Sequence, residues 1–138
     1  MQNKEERVIS LNYDKIEILK TIPAIAYGIL IIILSSLSHS HPVDTSKIFD
    51  IDFNMILHII EYALFSFLLF FSFNSKYQNR YLFIFLVLFA ISDEIHQYFV
   101  LNRFFDLLDI ILDIIGGLLG YLIFHSIPFK YKRITDKS

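Results

Sequence analysis

Ionisable and amide side chains lie inside three long apolar segments of this sequence, where groups that bind cations or carry protons are uncommon. They are His58 and Glu61 in one segment, Asp93, Glu94 and Gln97 in the next, and Asp109 and Asp113 in the last. An ionisable group that faces the hydrocarbon of a bilayer costs several kcal/mol, and such groups therefore face each other or a polar cavity. We expect these side chains to form one polar site.

Helical spacing places these side chains at a common depth. At a rise of about 1.5 Å per residue, His58, Glu94 and Asp113 lie roughly 8 to 9 Å from the same end of their segments. Asp106, Asp109 and Asp113 follow one another at steps of three and four residues, and residues at this spacing share one face of a helix. The spacing therefore predicts a polar layer near one surface of the membrane.

One hypothesis for this layer is an enzyme that uses a divalent cation. Carboxylate oxygens suit hard cations such as Mg²⁺, Ca²⁺ or Mn²⁺, and the candidate metal ligands are Glu94, Asp106 and Asp109. Arg103 could clamp the phosphate of a lipid or of a lipid-linked precursor through two parallel hydrogen bonds. Glu94 or His58 would then be the catalytic group that transfers a proton.

A second hypothesis is a protein that binds a lipid head group, a cell-wall precursor or a glycopeptide without chemistry. The candidate ligand-binding residues are Glu61, Asp93, Gln97, Arg103, Asp106, Asp109 and Asp113.

A third hypothesis is a structural network that fixes the register of the helices. One arginine and one histidine cannot neutralise six acids, however, so some acids are protonated, bound to a cation or reached by water. An ion-coupled transporter is disfavoured because the opposite halves of the segments hold few polar residues besides Ser66 and Ser72.

Four apolar blocks must position these groups. The chain has 138 residues, of which 55% are hydrophobic, and its apolar blocks cover residues 22–37, 53–73, 81–100 and 107–127. Blocks of about 20 residues can cross the hydrocarbon core of a bilayer as helices. Pro23 is expected in the first turn of the first span. Gly116, Gly117 and Gly120 are expected to let the last helix pack closely against a neighbour. We predict an all-α, four-helix transmembrane bundle, and a homo-oligomer is compatible with its small size.

The basic residues predict the orientation of the bundle. All of the 12 Lys and Arg residues except Lys47 and Arg103 lie in residues 1–20, in the connection 74–80 or in the tail. Because cytoplasmic segments are rich in Lys and Arg, both the N- and C-termini are expected in the cytoplasm and the polar layer in the outer leaflet.

The same distribution divides the chain into three parts. Residues 1–20 would be a cytoplasmic segment that can form an interfacial helix, residues 21–128 a four-span membrane domain, and residues 129–138 a basic cytoplasmic tail that contacts anionic lipids. The chain is thus predicted to be a multi-pass protein of the cell membrane with lipids as partners and no nucleic-acid role.

The motif residues resemble those of the VanZ-like family of bacterial integral membrane proteins. The resemblance rests on the run Ser92-Asp93-Glu94-Ile95-His96-Gln97, on Arg103, Asp106 and Asp109, on Gly116-Gly117 and Gly120, on His58 with Tyr62, and on Ser35-Ser36. It covers roughly residues 22–125. It implies a cell-envelope protein of a family named after a protein linked to resistance to teicoplanin, a glycopeptide antibiotic.

The chain departs from the family pattern near the polar layer. Leu101-Asn102 stand where the family usually has Pro-Gly, and Asn54-Met55 stand where it often has Asp-Lys. Asp113 occupies a position where the family usually has Asn. At positions 54 and 55 the chain lacks one carboxylate and one cation, and at position 113 it gains a carboxylate, so the layer is more acidic than the family pattern implies by one negative charge.

Overall fold

The described part of the chain is entirely helical. A computed structural model describes residues 4–37, 53–74, 77–101 and 103–127. These residues form four helices and no strand: α1 (Lys4–Ser35), α2 (Phe53–Phe73), α3 (Asn79–Tyr98) and α4 (Leu107–Ser126). The predicted all-α class and the four-helix bundle are confirmed. The predicted outer loop 38–52 and the basic tail 129–138 lie outside the described residues, and the cytoplasmic location of both termini stays a prediction.

Each helix is long and apolar enough to cross a bilayer. The candidate spans are Lys15–Ser35, Asn54–Phe73, Asn79–Tyr98 and Leu107–Ser126. Large apolar side chains on the outside of the bundle, such as Leu88, are exposed. A surface of this kind is stable against lipid rather than against water. The chain is therefore a multi-pass membrane protein.

Helix α1 differs from the prediction because Pro23 lies inside it and not in its first turn. The helix runs without a break from Lys4 across the predicted boundary between residues 20 and 21. A proline inside a helix removes one backbone hydrogen bond and crowds the preceding turn. Two hydroxyl groups donate to carbonyls in that turn: Thr21 Oγ1 to Ile18 at 2.7 Å and Ser72 Oγ of α2 to Lys20 at 2.6 Å. Such side-chain donors help a membrane helix to tolerate proline.

Helices α2 and α4 form the most extensive contact of the bundle. A Cβ atom added at Gly116 would collide with the backbone carbonyl of Ile59, and one added at Gly120 would collide with the carbonyl of Ala63. The two backbones therefore touch at both glycines, as small residues four apart permit. Since Ile59 precedes Ala63 just as Gly116 precedes Gly120, the two helices run in the same direction.

Gly117 faces a different neighbour. A Cβ atom at this position would lie 2.5 Å from the Cδ2 atom of Leu86 in α3. The Gly117 carbonyl accepts a hydrogen bond of 2.7 Å from the buried hydroxyl of Ser66 in α2. The glycines thus bring α4 against both α2 and α3.

Aromatic side chains fill the half of the bundle that contains the last turns of α2. The ring centroid of Phe70 lies 4.8 Å from that of Tyr121 and 5.1 Å from that of Phe83. Tilted and edge-on contacts of this kind stabilise a core beyond the burial of area alone. The ionisable groups of the predicted polar layer lie at the other end of the bundle, where α1 and α3 end and α2 and α4 begin. We call this the polar end.

Candidate functional site

His58 joins α2 to α4 at the polar end. Its Nδ1 atom lies 2.9 Å from Asp113 Oδ1, and its Nε2 atom lies 3.7 Å from Asp109 Oδ2. Asp113 is only 1% exposed. Both nitrogens of the ring therefore face carboxylates that lie one helical turn apart on α4.

Asp93 joins α3 to α1. Its Oδ2 atom accepts hydrogen bonds from Ser35 Oγ at 2.9 Å and from Gln97 Nε2 at 3.1 Å. All three side chains are buried. Gln97 lies on α3 with Asp93, so the bond from Ser35 is the one that holds the ends of α1 and α3 together.

Glu94 and Asp106 fix the connection between α3 and α4. Glu94 Oε1 accepts a hydrogen bond of 2.7 Å from the backbone N–H of Asp106. The Asp106 carboxylate caps α4 by accepting a bond of 2.8 Å from the backbone N–H of Leu108. Arg103, in the same connection, is near enough to Glu61 and Asp109 to interact with both electrostatically.

Four buried oxygen atoms at the polar end lack a hydrogen-bond partner among the residues that the structure describes. They are Glu61 Oε1, Tyr62 Oη, Asp93 Oδ1 and Glu94 Oε2. The Tyr62 phenol, which is 0% exposed, interacts electrostatically with all three of these acids and with Asp113, so the atoms belong to one region. Leaving a buried polar group unpaired costs about 1–3 kcal/mol. The three carboxylate oxygens are suited to accept hydrogen bonds from a ligand, and the Tyr62 phenol can donate one as well as accept one.

The predicted metal ligands are not arranged around one point. Within the described ranges, no three His, Asp or Glu side chains form a group that could hold a metal ion. Asp106 uses its carboxylate for the helix cap, and Glu94 Oε1 is occupied by a backbone N–H. Binding of Mg²⁺, Ca²⁺ or Mn²⁺ by Glu94, Asp106 and Asp109 stays a prediction.

Ser36 and His96 form an exposed pair beside the polar end. Ser36 Oγ lies 2.9 Å from His96 Nε2 and also donates a hydrogen bond of 2.7 Å to the Ile32 carbonyl. When the hydroxyl proton is directed to that carbonyl, the ring donates to Oγ in the tautomer that carries its proton on Nε2. A serine nucleophile would need the opposite arrangement, with the histidine accepting the proton.

Five polar residues that take part in these contacts were not among the predicted site residues. Two of them, Ser36 and His96, form the exposed pair. Ser35 bonds Asp93, Ser66 bonds a glycine carbonyl, and Tyr62 contributes an unpaired phenol. Tyr62 and Ser66 are four residues apart and share a face of α2. Two polar residues at this spacing in an otherwise apolar segment are the signal that could have identified Tyr62 and Ser66.

Comparison with known proteins gives one finding. The model of a family described as VanZ/LLP1 matches residues 7–128. No curated protein and no solved structure matches the chain. The matched range covers α2, α3 and α4 in full and all of α1 except its first three residues.

Proposed function

We propose that this chain, which belongs to the VanZ/LLP1 family, binds a hydrogen-bond-donating group at its polar end and does so without catalysis. The group would be an ammonium or hydroxyl of a lipid head group, a cell-wall precursor or a glycopeptide. The observation that carries the proposal is the set of unpaired oxygens of Glu61, Tyr62, Asp93 and Glu94 in one buried region.

The charge balance favours a donor over an anion as ligand. The acids Glu61, Asp93, Glu94, Asp106, Asp109 and Asp113 all lie at this end. Among the described residues, Arg103 already interacts with two of them, and His58 lies between two others. A phosphate alone would bring a further negative charge into an acidic, low-dielectric region, where repulsion between like charges is strong. An ammonium or hydroxyl would instead donate hydrogen bonds to the unpaired carboxylate oxygens of Glu61, Asp93 and Glu94.

The predicted orientation specifies from which side of the membrane such ligands would reach the polar end. The distribution of Lys and Arg predicts that the polar end faces the outside of the cell membrane. Lipid head groups and cell-wall precursors are present there, and a glycopeptide such as teicoplanin would arrive from that side. A role in resistance to teicoplanin would follow if binding at the polar end sequestered the antibiotic.

The alternative of a cation-dependent enzyme has less support. It requires a metal site or an activated nucleophile, and the described residues offer neither arrangement. We therefore keep Glu94 and His58 as binding and positioning groups in this proposal.

The test compares ligands that differ only in their donors. The full-length chain, purified in detergent, is melted in the presence of short-chain phosphatidylethanolamine, phosphatidylglycerol or phosphatidic acid. The first two carry an ammonium or hydroxyls beyond the phosphate. A ligand at about 100 times its Kd raises the free energy of unfolding by about 2.7 kcal/mol, so we expect a clear rise in the melting temperature with these two lipids. Teicoplanin is tested in the same way.

The matched variants are Asp93→Asn and Glu94→Gln. Each preserves an oxygen for the contacts within the protein and replaces the unpaired oxygen by an amide N–H₂, which donates hydrogen bonds and cannot accept one. We expect both variants to fold and to lose the preference for donor-bearing lipids. Stabilisation by phosphatidic acid that equals or exceeds that by phosphatidylethanolamine would contradict the proposal.

A further inference from the structure

We infer that the ligand is a membrane lipid that inserts one acyl chain into an apolar groove between α1, α2 and α3, while its head group reaches the polar end. The inference rests on the proposed function for the head group. It narrows the ligand to a lipid and adds a second site, the groove, that the head-group chemistry alone does not require.

The groove is built from small and aromatic residues. It has a volume of about 250 Å³, and among its lining residues are Ala24, Gly28 and Ile32 of α1, Phe65 of α2 and Phe89 of α3. A Cβ atom at Gly28 would lie 3.3 Å from the Phe65 ring. The Phe65 ring thus packs directly on the backbone at Gly28, and glycine at this position keeps a side chain of α1 out of this part of the groove.

The end of the groove nearest the polar end lies one helical turn from two of the residues with unpaired oxygens. Phe65 is one helical turn from Glu61 on the same face of α2, and Phe89 is one turn from Asp93 on α3. Glu61 Oε1 and Asp93 Oδ1 are two of the four unpaired oxygens. A molecule that lies in the groove and continues toward the polar end thus meets acceptors within one turn.

The lining and the position of the groove favour a lipid chain as the occupant. The groove extends from Ala24 to Ile32 along α1, and every residue that lines it is apolar. Ile25 and Ile29 on its rim are exposed on the outside of the bundle. An apolar groove on this surface, with acceptors one helical turn beyond its end, matches an amphiphile with one chain and a donor-bearing head group.

The inference is tested with a photoactivatable lipid in liposomes that contain the full-length chain. The probe is phosphatidylethanolamine with a diazirine halfway along one acyl chain, and the crosslinked residues are mapped by mass spectrometry. In the wild-type chain we expect crosslinks to concentrate on Gly28, Ile32 and Phe89. In Gly28→Leu, where the new side chain fills the groove, we expect these crosslinks to fall several-fold.

Two further variants test whether a fall in crosslinking is specific to filling the groove. Ala26→Leu adds the same side chain at an exposed position of α1 outside the groove, and it should leave the crosslinks unchanged. Ile29→Trp narrows the groove from its exposed rim and serves as the second blocking variant if Gly28→Leu does not fold.

Two outcomes would overturn the inference: crosslinks spread evenly over the lipid-facing surfaces of all four helices, or no change in either blocking variant. The head-group proposal is tested separately by Asp93→Asn, which should remove the preference for phosphatidylethanolamine over phosphatidic acid and leave the crosslink positions in the groove. An even crosslink pattern with an intact head-group preference therefore contradicts the groove alone. Groove crosslinks without any head-group preference contradict the proposed function and leave only the assignment of a lipid chain to the groove.

Discussion

Replacing Gly120 by alanine should push α2 away from α4 and weaken the whole polar end. The new methyl group would meet the carbonyl oxygen of Ala63, and it would lie 3.0 Å from the backbone nitrogen of Phe67. Both are backbone atoms of α2, so no change of rotamer can relieve the contact. The helices must separate, and the pair formed by His58 and Asp113 on the same two helices would lengthen.

The size of the effect follows from two opposing contributions. Forcing an extra methyl group into a packed core costs roughly 1–3 kcal/mol, and a contact between backbones belongs at the upper end of this range. Alanine regains about 0.8–1 kcal/mol over glycine in helix propensity. The net loss in the free energy of unfolding should be about 2 kcal/mol. On the scale of globular domains this corresponds to a fall of about 8 °C in Tm for a chain of this size.

Two other glycines provide graded controls in the same assay, thermal unfolding of the purified chain in detergent followed by circular dichroism. In Gly117→Ala the methyl group meets the Cδ2 atom of Leu86 at 2.5 Å. That atom ends a flexible side chain, so an adjusted rotamer costs about 0.5–1.5 kcal/mol and nearly offsets the gain in propensity. In Gly28→Ala the nearest atom is 3.3 Å away, and the change should be close to neutral. A Gly120→Ala variant as stable as Gly28→Ala would refute the reasoning about the contact between α2 and α4.

Three further predictions concern the ties at the polar end and use the same melting assay. His58→Ala leaves the buried Asp113 carboxylate without its partner and should lower the free energy of unfolding by about 3–5 kcal/mol. The loss in Asp113→Asn should be smaller because this variant keeps a hydrogen bond, and equal losses would contradict the pairing. Asp109→Asn should change the stability by less than about 1 kcal/mol because its oxygen lies 3.7 Å from His58 Nε2, and a larger loss would indicate another role for this carboxylate. Asp106→Ala should cost about 1 kcal/mol by removing the cap on the Leu108 N–H, while Asp106→Asn should retain the cap; a loss in the asparagine variant as large as in the alanine variant would show that the charge matters.

The number and position of the spans could be predicted because length and hydrophobicity dominate the folding of a membrane helix. The block 53–73 coincides with α2 (Phe53–Phe73). The start of α1 could not be predicted from hydrophobicity because residues 4–20 are of mixed polarity. These residues include none that breaks a helix, so α1 extends through them to Lys4. Pro23 was interpreted as a start signal, but a proline can also be accommodated inside a helix when neighbouring hydroxyls satisfy carbonyls of the preceding turn.

The identity of the polar residues could be predicted from the sequence, but their pairing could not. Spacing along one helix shows which side chains share a face, and this was enough to select His58 and Asp113. The bond from Ser35 to Asp93 joins residues that are 58 positions apart. It depends on the rotation and register of α1 against α3, which the periodicity of either helix alone does not determine. The same limit applies to the unpaired phenol of Tyr62.

The structural and the binding hypotheses need not compete, because two acids divide their oxygens between the two roles. Asp93 uses Oδ2 to hold α1 against α3 and leaves Oδ1 unpaired, and Glu94 uses Oε1 to hold the connection to α4 and leaves Oε2 unpaired. A substitution to alanine removes both oxygens and would therefore destabilise the fold, so loss of binding in such a variant would say little about the ligand. Substitution to the amide retains the oxygen that holds the helices and converts the other into a donor. If binding resides in the unpaired oxygens, the amide variants should keep the melting temperature of the free protein and lose the stabilisation by donor-bearing lipids. If the acids serve the fold alone, the amide variants should respond to every lipid as the wild-type chain does.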